Sequence, residues 1–222
     1  MVAVFVLAVF LFIIAADIIV LKFQGKKHPA FATAIPQYGS SIHDENDISI
    51  PSDIIISKGH TWIKFGRDGL ADIGIDAFGA AALGKMSVVK CADEGKEIKK
   101  GEIIFEGSYG DKTVKFLSPV NGFVKAVNSN IIGKKISGPY EMWGIKLITD
   151  SKENKRQFLS GNEAQNWMKN EFIRLKSFIE NFTPDTGLAG VTMYDGGKLS
   201  DELASSFTAE AIANFEKEFL SL

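Results

Sequence analysis

Cysteine is nearly missing from this chain: Cys91 stands alone among 222 residues. No internal disulfide can form, and no Cys-x-x-Cys pair or His/Cys cluster offers zinc or an iron–sulfur centre a ligand set. Cys91 itself, beside Val88 and Val89, reads as a small buried residue. Histidine is scarce too, and His28, His43 and His60 are scattered without ligand spacing; none is expected to bind metal. Excess charge is lacking too. The formal net charge is −2 and the pI about 6.0, with no basic tract beyond a few lysines near the N-terminus, so nucleic-acid binding has no electrostatic support. Catalytic signatures fail as well. There is no Gly-x-Ser-x-Gly and no His-Glu-x-x-His, and Gly107-Ser108-Tyr109-Gly110-Asp111-Lys112-Thr113 lacks the phosphate-loop spacing, which needs four residues between the glycines and lysine directly after the second. No acid pair has a spacing suited to general acid–base work. The chain is not expected to be an enzyme.

One long apolar run is present. Val2 to Leu21 is apolar or alanine throughout except for Asp17, and about twenty residues rising about 1.5 Å each cross a bilayer core. Residues 1–22 are therefore expected to form a transmembrane helix. A signal peptide would carry basic residues ahead of a shorter apolar region, and nothing basic precedes Val2. Ala32-Thr33-Ala34 mimics a cleavage site but lies beyond Lys22, Lys26 and Lys27. Those lysines all follow the run, which predicts a single-pass protein of the cell (inner) membrane with its N-terminus outside and its main domain cytoplasmic. Asp17 lies about 6 Å inside the cytoplasmic boundary; either a partner helix or local water and Lys22 satisfy it.

Residues 23–57 hold Pro29, Pro36, Pro51, Gly39-Ser40-Ser41 and the acidic Asp44-Glu45-Asn46-Asp47, and read as a linker. From 58 to 150 short β-rich runs dominate: Ile103-Ile104-Phe105, Val114-Lys115-Phe116-Leu117 and Gly144 to Ile148, each bounded by glycine, proline or asparagine. Ala77 to Gly84 reads as a short helix, and Lys100-Gly101 and Asn121-Gly122 as two turns in comparable places. From 151 to 222 the pattern turns helical. Ser160-Gly161-Asn162-Glu163 has the form of a capping box, followed by Met168, Phe172, Leu175, Ile179 and Phe182 on one stripe. Thr183-Pro184-Asp185 should end this helix, Asp195-Gly196-Gly197 should turn, and Thr208 should cap a last helix with Phe207 and Ile212 as its staple. Ile212, Phe215 and Phe219 need something to bury them. The extension is expected to fold back on the β domain; docking to a partner is the alternative.

Several landmarks occur in a telling order: Gly59-His60-Thr61-Trp62-Ile63, Gly74-Ile75-Asp76-Ala77-Phe78-Gly79, Ala82-Leu83-Gly84, Lys100-Gly101-Glu102, Ser118-Pro119-Val120-Asn121-Gly122 with Asn128, and Pro139-Tyr140-Glu141-Met142-Trp143-Gly144-Ile145. Together they resemble the H-protein of the glycine cleavage system, the carrier whose lipoyl-lysine arm shuttles an aminomethyl group between enzymes. The resemblance implies a mainly β, barrel-sandwich hybrid fold, here with an N-terminal transmembrane helix and a C-terminal helical extension. In that family the lipoylated lysine lies ten residues after the glycine matched by Gly101 and eight before the proline matched by Pro119. Both counts land on Asp111. A carboxylate cannot form the lipoyl amide, and the nearest amine, Lys112, is one residue late and reads as a solvated turn lysine.

The resulting expectation is a chain without cofactor, with Lys112 as the alternative lipoyl site. Its role would be that of a membrane-anchored accessory or scaffold subunit, holding a protein partner in a membrane-associated assembly such as an electron-transfer complex. The alternative is a lipoyl carrier of the glycine cleavage type, modified on Lys112.

Overall fold

The computed structural model describes residues 48–66, 69–149, 157–182, 193–194, 198–199 and 203–222. Val2–Leu21 with Asp17, the lysines at 22, 26 and 27, His28 and His43 lie outside the described residues, among which no helix is long and apolar enough to cross a membrane. In chain order the elements are β1 (Ile55–Ile56), β2 (Thr61–Phe65), β3 (Leu70–Ile75), α1 (Ala77–Leu83), β4 (Ser87–Cys91), β5 (Glu97–Ile98), β6 (Ile103–Tyr109), β7 (Lys112–Leu117), β8 (Gly122–Val127), a 3-10 turn at Ser129–Ile131, β9 (Ile145–Ile148), α2 (Gly161–Phe182), β10 (Met193–Tyr194), β11 (Lys198–Leu199), α3 (Leu203–Ser206) and α4 (Ala209–Phe219). One sheet runs β1-β2-β3-β9-β8-β5 and another β4-β6-β7, while β10 and β11 pair separately. The pairings are antiparallel.

Alternation along the strands sends one set of side chains inward. Ile63, Ile73, Ile145 and Leu147 from the larger sheet share a buried cluster with Val88, Phe105, Val114 and Phe116 from the smaller. Three glycines mark close approaches within the core. A Cβ on Gly74 would lie 2.6 Å from the Trp62 ring across the β2–β3 pair, one on Gly144 2.3 Å from Phe105, and one on Gly107 2.6 Å from Leu83. The short α1 is buried along its whole length, which explains its alanine and glycine content. Asp76 caps it, its Oδ1 accepting from the Gly79 amide at 2.8 Å.

Two sequence expectations need correction. The linker does not extend to 57: Ile48, Ile50, Ile54 and Ile56 are buried in the core, and Ile55–Ile56 pair with Ile63 and Trp62. Their spacing by twos was the signal, masked by Pro51 and Asp53 between them. Asn121-Gly122 is not a glycine-centred turn. Gly122 opens β8, where a Cβ would stand 2.7 Å from the Ile148 carbonyl oxygen, and Asn121 accepts from the Lys100 amide at 2.8 Å. Gly101, at φ 87°, is a true turn glycine.

The helical extension packs onto the β domain as expected. The helix α2 begins at Gly161, and Met168, Phe172, Leu175 and Ile179 are buried, joined by Ala164 and Phe178. The Phe182 side chain lies outside the described residues, as do Thr183-Pro184-Asp185 and Asp195-Gly196-Gly197. Thr208 caps α4, its hydroxyl accepting from Ala211 at 3.1 Å. Phe207, Ile212, Phe215 and Phe219 are buried. Phe78 of α1 meets Phe172 at 5.3 Å, Phe219 at 5.4 Å and Phe215 at 6.3 Å between ring centroids, so aromatic packing joins the extension to the β domain.

Candidate functional site: the β6–β7 hairpin and its helical cover

Strands β6 and β7 pair from Ile103–Leu117 to Tyr109–Lys112, leaving Gly110 and Asp111 as a two-residue turn. Gly110 has φ 63°, and among the described residues only His60 is a non-glycine with positive φ. A positive φ at the first turn residue alone is what a type II′ hairpin uses, and its twist matches that of the flanking strands. Asp111 is therefore exposed in the turn, where its carboxylate is solvated and no amine is available.

Lys112 opens β7 and is only partly exposed. The expectation of a solvated turn lysine is not met: its Nζ donates to the Ser205 carbonyl of α3 at 2.6 Å. Ser108 Oγ donates to the Lys112 carbonyl at 2.9 Å, which pins the backbone at the mouth of the turn. Three residues on, the Lys115 amide donates to Glu216 Oε1 of α4 at 2.7 Å. Strand β7 is an edge of its sheet, and this carboxylate takes up an edge amide that would otherwise face solvent or another chain. Asp111, Lys112, Thr113 and Lys115 line a groove of about 340 Å³ with Ala209, Ile212, Ala213 and Glu216.

A second cluster joins α2 to the β domain, and spacing gave no hint of it. His60, Asp76 and Glu171 lie far apart in sequence and converge in the fold. The His60 ring is fully buried, with Nδ1 3.0 Å from Asp76 and Nε2 3.8 Å from Glu171. The first distance is a hydrogen bond; the second is too long for one but close enough for an ion pair. Phe78 stacks on the ring at 3.8 Å and Trp167 at 4.9 Å. An ionised carboxylate only accepts, so two carboxylates facing the two ring nitrogens favour a proton on each. Burial alone would lower the histidine pKa, but Asp76 and then Glu171 override it and hold His60 above its ordinary value. Burial likewise pushes Glu171 up, and contact with His60 and Arg174 outweighs it, holding the carboxyl below its usual range. Arg174 grips Glu171 at 2.7 and 2.8 Å and reaches Glu218 of α4 at 3.4 Å. Among the described residues no His/Cys/Asp/Glu group is arranged to hold a metal. Cys91 is buried, and burial pushes its thiol up to about 12, which leaves it unreactive at neutral pH.

The family model for the glycine cleavage H-protein matches residues 54–171, which include both sheets and the entire β6–β7 hairpin. The chain belongs to the glycine cleavage H-protein family. A glycine cleavage system H protein of Lachnoclostridium phytofermentans is 32% identical over 132 residues, covering 56% of this chain and 98% of that protein. One from Bacillus velezensis is 41% identical over 85 residues, covering 38% of this chain and 65% of that protein. The crystal structure of a glycine cleavage system H protein from Mycobacterium marinum is similar at 21% identity and a TM-score of 0.47, covering 54% of this chain and 98% of that one.

Membership corrects the expectation that this chain takes no cofactor: the H-protein family matched here carries lipoate, so lipoate and not its absence is what the comparisons point to. The residues at the hairpin can be tested against such a group. An amide needs a primary amine, which Asp111 lacks and Lys112 supplies one residue beyond the turn, at the start of β7. A lipoyl amide fits this hairpin through Lys112, on condition that its amine leaves Ser205.

Proposed function

We propose that this H-protein-family chain is a lipoyl carrier of the glycine cleavage type, modified on Lys112 and tethered to a membrane by residues 2–21. The observation that carries the reading is the family match across 54–171, within which Lys112 is the amine bordering the hairpin turn. When bound, the lipoyl group supplies a long arm that carries an aminomethyl group between enzymes. The chain's own part is to present the amine. The tight Gly110-Asp111 turn holds Lys112 at the end of a paired strand, and the Ser108–Lys112 hydrogen bond limits its backbone motion. Modification needs the unprotonated Nζ to attack an activated lipoyl acyl group, such as an acyl adenylate brought by a ligase. The C–N bond forms, the acyl–phosphate bond breaks with the nucleotide as leaving group, and the Nζ proton passes to solvent. The domain needs no catalytic residue for this role, in keeping with the absence of a recognisable nucleophile–base pair in the sequence.

The membrane tether and cytoplasmic placement rest on the Val2–Leu21 run and on Lys22, Lys26 and Lys27 following it. A second reading is that of an accessory subunit docking a protein partner in a membrane assembly. It draws on the helical extension, of which α3 and α4 lie beyond the family match. The deciding experiment is to express the full chain in cells with active lipoylation and to take the mass of the peptide containing Lys112. One lipoyl-amide increment on Lys112, lost in Lys112→Arg, is the expected result. An unmodified Lys112 overturns the carrier reading.

A further inference from the structure

The family match ends at Glu171, yet the groups that engage the hairpin amine come from beyond it. Ser205 of α3 accepts from Lys112 Nζ at 2.6 Å, and Glu216 of α4 accepts from the Lys115 amide at 2.7 Å. Phe207, Phe215 and Phe219 hold these helices down by packing with Phe78 and Phe178. We propose that α3 and α4 form an autoinhibitory lid over the Lys112 amine, so that acylation of this lysine requires the lid to be displaced. The role of the lid in controlling lipoylation rests on the carrier reading; the occlusion of the amine does not.

Access to the amine is what the lid denies. An acyl-transferring enzyme needs the lysine extended away from its strand, whereas here the amine is folded back on a backbone carbonyl and its side chain is half-buried. A hydrogen bond from a charged amine to a carbonyl holds the closed form more strongly than a neutral pair would. The Glu216 contact acts on the same edge strand three residues away. The helices therefore hold the hairpin at two points, one on the acceptor lysine and one on the backbone beside it. Opening leaves the β6–β7 pairing intact, because neither contact is part of it, and it has to uncover the aromatic face that Phe215 and Phe219 share with Phe78.

The lid can be read by amine footprinting of the full chain. Brief treatment with acetic anhydride, followed by peptide mass spectrometry, gives the acetylation rate of Lys112 relative to the exposed Lys125 of β8. Lys112 should react roughly tenfold more slowly. Glu216→Ala, which removes a side chain from the lid and leaves the aromatic anchors in place, should raise the Lys112 rate roughly fivefold. Lys217→Ala, an exposed change on the same helix, should leave it unaltered. Transfer of lipoate to the same proteins by a purified lipoate ligase with ATP is measured in parallel. Slow acetylation of Lys112 that is relieved by Glu216→Ala supports the lid, and a matching rise in lipoyl transfer supports its control of modification. If the lid signature is present but none of the three proteins accepts lipoate, the occlusion stands and the carrier reading fails. Wild-type Lys112 reacting as fast as Lys125, or no response to Glu216→Ala, overturns the lid whatever the lipoyl result.

Discussion

Replacing Phe172 with alanine tests whether the C-terminal extension is part of the fold or a surface laid on it. Phe172 is 1% exposed and meets the edge of Phe78 at 5.3 Å, so its ring bridges α2 and the β domain's only well-formed helix in the described residues, α1. Removing the ring forfeits about 2 kcal/mol of apolar burial. A residual cavity of about 80 Å³ adds about 2 kcal/mol at about 24 cal/mol per Å³, and the lost edge contact about 0.5 kcal/mol or more. Partial collapse of neighbouring side chains offsets some of this, which leaves an expected loss of about 3–5 kcal/mol. Urea unfolding followed by circular dichroism and by tryptophan fluorescence is the assay, since Trp167 lies on α2 against His60. With a slope of about 2 kcal/mol per molar urea, the midpoint should fall by about 2 M. A loss below about 1 kcal/mol at unchanged slope would refute core packing of the stripe and favour α2 as a docking element.

The buried His60–Glu171 contact should leave a mark on stability against pH. His60 is held above 6.5 in the folded chain, so its contribution is fully present below about pH 6.5 and declines as pH rises through its folded value. Glu171 is held below 4.5, so its contribution is present above that and is lost as pH falls through its folded value. Glu171→Gln should cost about 1–3 kcal/mol between those limits and flatten the alkaline decline; an undiminished decline in urea midpoints would show that His60 does not depend on Glu171. For topology, protease added to intact cells should leave residues 23–222 uncut, and carbonate extraction should leave the protein in the membrane fraction. Cleavage of the β domain from outside, or a mature N-terminus near Ile35, would contradict the tether.

Much of this architecture is local and therefore readable along the chain. Strand runs bounded by glycine, proline or asparagine, the Thr208 cap, and the 3.6-residue stripe on α2 each depend on residues close in sequence, and the structure contains each of these elements. The family spacing from Gly101 and Pro119 also counts to Asp111, and the structure places that residue in the turn. Gly74, Gly107 and Gly144 were visible only as residues; the partners that exclude a Cβ, namely Trp62, Leu83 and Phe105, come from other strands or from α1.

Legible in the sequence alone were the β-rich runs, the short helix, the two longer helices of the extension and the family landmarks in order, with Asp111 where the resemblance puts the lipoyl lysine. Tertiary structure decided the rest, because each remaining feature joins residues that no local preference relates. His60, Asp76 and Glu171 meet only once α2 lies on the β domain. Ser205 reaches Lys112 across a separation of 93 residues. Whether a lysine is solvated or held depends on what folds back over it, and a charge beside a turn carries no information about a helix that arrives so much later in the chain.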